Sequence, residues 1–132
     1  MTYNLVLVFD KDEKQVLMCY RSKNPYKGKY NLLGGKIDNG ESYLESAYRE
    51  LFEESGITEK EIDLKPFIDY VWHPIKMEMK VFYGILNKEI ELVEEIHELV
   101  WMDLDEDFFD YKKFAGEGNI GYMIKLYHDW KK

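Results

Sequence analysis

Residues 34–57 read GGKIDNGESYLESAYRELFEESGI, and within this one stretch stand Gly35, Glu41, Arg49, Glu50, Glu53, Glu54 and Gly56. At about 100° per residue, a helix from Ser42 to Ser55 gathers Leu44, Ala47, Tyr48, Leu51, Phe52 and Ser55 on one side, the side expected to face a core. Glu50, Glu53 and Glu54 stand at i, i+3 and i+4 and are expected to project together from a different side. Like charges at that spacing repel by roughly 0.2–0.5 kcal/mol per pair. Glu53 and Glu54 also fall in the last turn before a capping glycine, Gly56, where the helix dipole disfavours negative charge. Arg49 reaches Glu45 and Glu53 at four-residue spacings and leaves Glu50 and Glu54 without a local partner. A divalent cation would relieve the rest, and an all-oxygen ligand set suits Mg²⁺ or Mn²⁺. Taken alone, the acidic triplet reads equally as a solvated helix face.

The complete array is more specific. Gly35, five residues, Glu41, seven residues, Arg49-Glu50-Leu51, one residue, Glu53-Glu54, one residue and Gly56-Ile57 resemble the Nudix box at every fixed position. That resemblance implies a hydrolase of nucleoside diphosphates linked to another moiety, with a loop-helix-loop holding divalent metal. It implies metal binding by Glu50, Glu53, Glu54 and the main-chain carbonyl of Gly34. It further implies that Arg49 orients the glutamates and that Gly35, Glu41 and Gly56 support the loops. Glu50 is the implied base for the attacking water, with Arg49 and Glu53 beside it in the catalytic set. An extra metal ligand is implied shortly before the strand at Trp101. Glu94, Glu95 and Glu98 are in range, and Glu98 is the first choice. The chemistry agrees, because an acidic site repels polyphosphate unless a cation bridges the two.

Composition bounds what else the chain can be. At 132 residues, with 45% hydrophobic and 16% aromatic residues, it is long enough for one domain, residues 1–132, with its own core. The single cysteine, Cys19, excludes an intramolecular disulfide, and its place in an apolar run reads as a small core residue. The longest apolar run, Leu5 to Phe9, is too short to span a bilayer, and the N-terminus does not read as a signal peptide, so a cytoplasmic protein with no membrane partner is expected. A net charge of −8, from 26 acidic against 18 basic side chains, repels a phosphate backbone. The expected partner is a small nucleotide, not a nucleic-acid polymer. His73, His97 and His128 are scattered and show no zinc spacing.

Along the chain, Thr2 to Phe9 and Gln15 to Tyr20 read as a hairpin, followed by a turn-rich loop from Ser22 to Lys29. Further strands are expected at Tyr30 to Leu33, Leu64 to Trp72, Met77 to Leu86 and Leu99 to Met102. A short helical turn is expected within Asp103 to Asp110. Ile120, Met123, Ile124, Tyr127 and Trp130 recur at helical spacing and predict a closing helix. Periodicity alone supports a mixed α and β domain. The resemblance makes it an α/β/α sandwich with a mixed central β-sheet, as a monomer or homodimer.

Residues outside the box bear on the substrate. Arg21-Ser22 runs on to Leu32-Leu33-Gly34-Gly35 without the coenzyme A branch pattern. Trp72 stands fifteen residues after the box, where the ADP-ribose branch carries proline, and the proline-rich motif of the NADH branch is absent. Asn31 resembles a base-binding asparagine of the MutT-type branch, which removes oxidised purine triphosphates such as 8-oxo-dGTP. Phe114 to Asn119 resembles that branch's base-closing loop, with Phe114 stacking and Glu117 and Asn119 meeting the base edge. Equally, Phe114 reads as a core aromatic, Glu117 as an exposed loop acid and Asn119 as a helix N-cap. Other readings are hydrolysis of a nucleotide sugar or dinucleotide, and a non-catalytic nucleotide sensor. Isopentenyl diphosphate isomerase is a remote alternative, since Cys19 sits in a poor context for its chemistry.

Overall fold

The computed structural model describes residues 1–94 and 96–131. The order is β1 (Thr2–Phe9), β2 (Gln15–Tyr20), β3 (Tyr30–Asn31), α1 (Tyr43–Ser55), β4 (Lys65–Trp72), β5 (Met77–Ile85), β6 (Glu98–Asp103) and α2 (Asn119–Lys131). The apolar run of β1 forms the middle of the sheet. It pairs in parallel with β5 from Thr2↔Glu78 to Phe9↔Ile85, and Val6 to Phe9 are all 0% exposed. Burial on both faces is why this run does not alternate with polar residues. β4 pairs antiparallel with β5 and bulges between Pro66 and Ile68, an edge position where proline's missing N–H is tolerated.

β1 and β2 pair only beside their turn, at Phe9↔Val16. Beyond it the chain after residue 30 lies between them. Cys19 faces Asn31 across β2 and β3, while Val6 and Asn4 donate their backbone N–H groups to Leu33 and Gly35 at 2.8 and 2.9 Å. β6 covers the other edge of β2. This insertion delivers Gly34 and Gly35 to the middle of the molecule.

Alternate residues of β1 and β2 feed two cores on opposite faces. Val6, Val8, Leu17 and Cys19 pack with Ala47 and Leu51 of α1. Leu7, Phe9, Val16 and Met18 pack with Ile120, Met123, Ile124 and Tyr127 of α2. The result is the α/β/α sandwich over a mixed sheet.

Three expectations change. On α1, Leu44 and Phe52 are 41% and 57% exposed, whereas Ser46 and Glu54 are buried. The buried arc is rotated toward Ser46 and Glu54 because the Gly34-Gly35 loop and Asn4 pack against that side. The third strand is only two residues long, and Leu33 contributes a bridge to Val6 instead. Within Asp103 to Asp110, Asp103 belongs to β6 and the residues after it form short turns that do not extend into a regular helix. The Asp107 and Asp110 carboxylates take the N–H groups of Phe109 and Lys112, two residues on, the local bonding by which Asp competes with a helix.

Candidate active site

Ser42 caps α1 by accepting the N–H of Glu45, and Gly56 ends it at φ 79° with its N–H on Phe52. Between these caps the box residues form two layers. In the outer layer Arg49 is the hub. It grips Glu41 with two hydrogen bonds, reaches Glu50 and Glu53 through Nη1 at 3.2 and 3.3 Å, and lies 3.3 Å from Asp38. Glu41 most of all, and then Glu50 and Glu53, raise the guanidinium pKa, and Arg49 in return lowers that of Glu41. Glu41 also accepts the N–H of Asp38, which fixes the loop ahead of the helix. The expected Arg49–Glu45 pair does not form, and Glu50 is not without a partner.

The inner layer is buried. Glu54 is 6% exposed, and its carboxylate accepts the Gly34 N–H at 3.1 Å. No ion pair reaches it among the described residues. Burial, and the neighbouring Glu50, push its pKa up to about 8 against the lowering effect of that N–H. Burial raises Glu50 as well, with Arg49 opposing. The carboxylate of Glu50 lies against Gly35 so closely that a Cβ there would sit 2.6 Å from it, a physical reason for glycine at this position. Gly34 has φ 149°, and a Cβ on it would collide with the backbone of Asn4.

Asn4 is the residue the sequence reading missed. It is 0% exposed, accepts the Gly35 N–H at 3.1 Å and donates to the Ser46 hydroxyl, so that one amide ties β1, the glycine loop and α1 together. A lone amide in an otherwise apolar strand was the available signal.

The two layers separate the acidic triplet. Glu50 and Glu54 converge beside Gly34 and Gly35, while Glu53 is exposed and held outward by Arg49. Among the described residues no three His, Cys, Asp or Glu side chains are drawn into one metal-binding group. The donor chemistry nevertheless fits a hard divalent cation: two adjacent carboxylates, one of them buried without a cationic partner, are stabilised by positive charge between them. Leu33 and Gly35 commit their carbonyls to β1, which leaves the Gly34 carbonyl outside that ladder. Glu98 is exposed at the start of β6, opposite Tyr20, and Glu94 accepts the N–H of Leu99. Glu95 lies outside the described residues.

The base-site candidates are not brought into one group. Asn31, opposite Cys19, uses its Oδ1 on the Leu32 N–H and keeps its amide donors. Phe114 is 1% exposed, packed against Phe108 and Tyr30 in the α2-side core, so it offers no face for stacking. Asn119 is the first residue of α2 and not its cap, since the N–H of Tyr122 bonds the carbonyl of Gly118. Glu117 is exposed and accepts the hydroxyl of Tyr26. Cys19 is 2% exposed, with burial and then Glu54 raising its thiol to about 12, an inert core residue. A cavity of about 580 Å³ lies away from the carboxylates, between α2 and Phe108-Phe109. No helix among the described residues is long and apolar enough to cross a membrane.

Comparison with known proteins bears on the family and the fold. The NUDIX domain family model matches residues 3–120. An ADP-ribose pyrophosphatase of Methanocaldococcus jannaschii is 30% identical over 94% of this chain and 71% of its own length. An oxidized purine nucleoside triphosphate hydrolase of Mus musculus is 33% identical over 61% of this chain and 51% of its own, so the match spans about half of the mouse protein. Among solved structures, a C. elegans Ap4A hydrolase superposes with a TM-score of 0.76 at 19% identity, covering 97% of this chain and 96% of its own, which is a likeness of fold. The box, the sandwich that presents it and these relatives together place the chain in the Nudix family, as a hydrolase of phosphoanhydride bonds.

Proposed function

We propose that the protein hydrolyses a nucleoside triphosphate, with an oxidised purine deoxynucleotide such as 8-oxo-dGTP the leading substrate, to the monophosphate and pyrophosphate with Mg²⁺. The observation that carries the metal-dependent part is the buried Glu54 carboxylate, beside Glu50 and with no cationic partner among the described residues. Glu50, Glu54 and the Gly34 carbonyl would hold the cation, with Glu53 available on the same helix. Bound there, Mg²⁺ supplies charge stabilisation at the phosphoryl oxygens and acidifies a coordinated water. Arg49 fixes the direction of Glu50, which is thereby placed to take the proton of the attacking water.

The purine assignment rests on the mouse relative's activity and on Asn31, which lies on the short chain segment leading to Gly34 with its amide donors free for a base. A second reading, ADP-ribose, is favoured by the name of the archaeal relative, which matches along nearly the whole chain despite Trp72 at the branch's proline position. A panel of 8-oxo-dGTP, dGTP, a pyrimidine triphosphate, ADP-ribose and a dinucleoside polyphosphate separates the readings. The highest kcat/KM is expected for 8-oxo-dGTP. Asn31→Ala should lower that value several-fold, the worth of roughly 0.5–1.5 kcal/mol, and affect the pyrimidine less. Preference for ADP-ribose would hand the assignment to the second reading, and an equal loss on all substrates would place Asn31 in loop support.

A further inference from the structure

β4 ends the sheet, and among the described residues no strand pairs with its outer edge. The backbone N–H and C=O groups of an open edge are a template for another strand unless the chain blunts them. Here the blunting covers only the first half. Lys65 is exposed, Pro66 lacks an N–H, and the strand bulges between Pro66 and Ile68. From Ile68 to Trp72 the strand runs unbroken opposite Val81 to Met77 and carries neither lysine nor proline.

That second half is apolar on both faces. Ile68 and Tyr70 pack on the α2-side core, and Trp72 follows on the same face, its ring 6.4 Å from that of Tyr70. On the α1 side Val71 is 47% exposed. Beside it the Asp69 carboxylate is held 3.3 Å from Nζ of Lys80, and that ammonium lies over the ring of exposed Tyr43. Ile75, in the turn that follows, is exposed as well. Exposed apolar groups gathered along an open edge mark an interaction site.

Charge and register say what fits it. The chain carries −8, so two copies repel over most of their surface. From Asp69 to Lys80, however, the acids Asp69 and Glu78 are balanced by Lys76 and Lys80, and two copies meet there without net repulsion. A two-fold axis perpendicular to the sheet pairs β4 antiparallel with itself. Centred on Asp69, it sets like charges directly opposite each other, which is destabilising. Centred on Val71, it pairs only residues 70–72 within the strand. Centred on Tyr70, it pairs all of Ile68 to Trp72, with Ile68 opposite the partner's Trp72 and Asp69 opposite the partner's Val71. Each face then meets its like and no like charges oppose.

We propose that the outer edge of β4 from Ile68 to Trp72 is the interface for a second copy of this chain, joined antiparallel about a two-fold axis at Tyr70. The test is sedimentation velocity up to about 1 mM protein, with the melting temperature of each variant alongside. The wild type is expected to approach the mass of two chains as concentration rises. Val71→Glu sets a carboxylate opposite the partner's Asp69, twice by symmetry, and should weaken association roughly ten-fold or more. Val71→Lys sets an ammonium there and should associate at least as tightly as the wild type. Asp69→Asn in the Val71→Glu background should restore most of the loss, because it removes the opposing charge. Val93→Glu, at another valine of 47% exposure, should change nothing. A wild type monomeric throughout would overturn the proposal and leave the edge to a strand of another protein. Equal losses in Val71→Glu and Val71→Lys, no rescue by Asp69→Asn, or an equal loss in Val93→Glu would overturn it too.

Discussion

Glu54 occupies a position that a helix designed only for stability would give to an apolar residue. It faces inward at 6% exposure, accepts the Gly34 N–H, and has Glu50 as a like-charged neighbour. The consequence for the metal-free protein is a pH dependence of definite sign. Below pH 4.5, the carboxyl's ordinary value, it is neutral whether the chain is folded or unfolded; its folded value is near 8. As the pH rises from 4.5 towards 8 the unfolded chain releases this proton and the folded chain does not, so stability falls through that window and levels off above it. The melting temperature in EDTA should therefore be lower at pH 8.5 than at pH 5.5, and Glu54→Gln should remove most of the difference. The same drop in both proteins would mean that the Glu54 carboxyl is not the group responsible.

At the scale of elements, what fixes the carboxylates is the seam between β1, the glycine loop and α1, and Asn4 is its centre. Removing the Asn4 amide leaves the Gly35 N–H and the Ser46 hydroxyl buried without their partner, a loss of about 1–3 kcal/mol. Asn4→Ala should accordingly lower the melting temperature by several degrees, with a fall in kcat as Gly35 and Glu50 lose their register; an unchanged transition would show the seam to be held elsewhere. This seam also explains what could be read from the sequence and what could not. The ends of α1 were legible, because Ser42 and Gly56 are local cap signals. Its buried face was not: apolar periodicity assigns Leu44 and Phe52 to a core, and nothing local says that a glycine loop, inserted between β1 and β2, takes the side of Ser46 and Glu54. The turns after Asp103 stay short for a local reason, aspartates that bond the backbone two residues on.

For the whole molecule, most strand positions were visible as apolar runs, but the parallel pairing of β1 with β5 joins residues 76 apart and has no local signature. The sandwich was legible only through the box, and the box also marks the carboxylates. Outside it less was legible: Phe114 proved to be core, and Tyr26, whose hydroxyl donates to Glu117, carried no motif. The proposed hydrolysis depends on Glu50 and Glu54 acting together on a phosphoanhydride through a divalent cation. Its most direct test is turnover of 8-oxo-dGTP and dGTP against Mg²⁺ concentration for the wild type, Glu50→Gln and Glu54→Gln, with thermal unfolding of each protein alongside. Wild-type turnover should vanish in excess EDTA and return with Mg²⁺, and kcat should be lower by on the order of a hundred-fold or more in each variant, with Glu54→Gln folded and at least as stable as the wild type without metal. Wild-type rates in excess EDTA, or full activity in a folded Glu54→Gln protein, would contradict it.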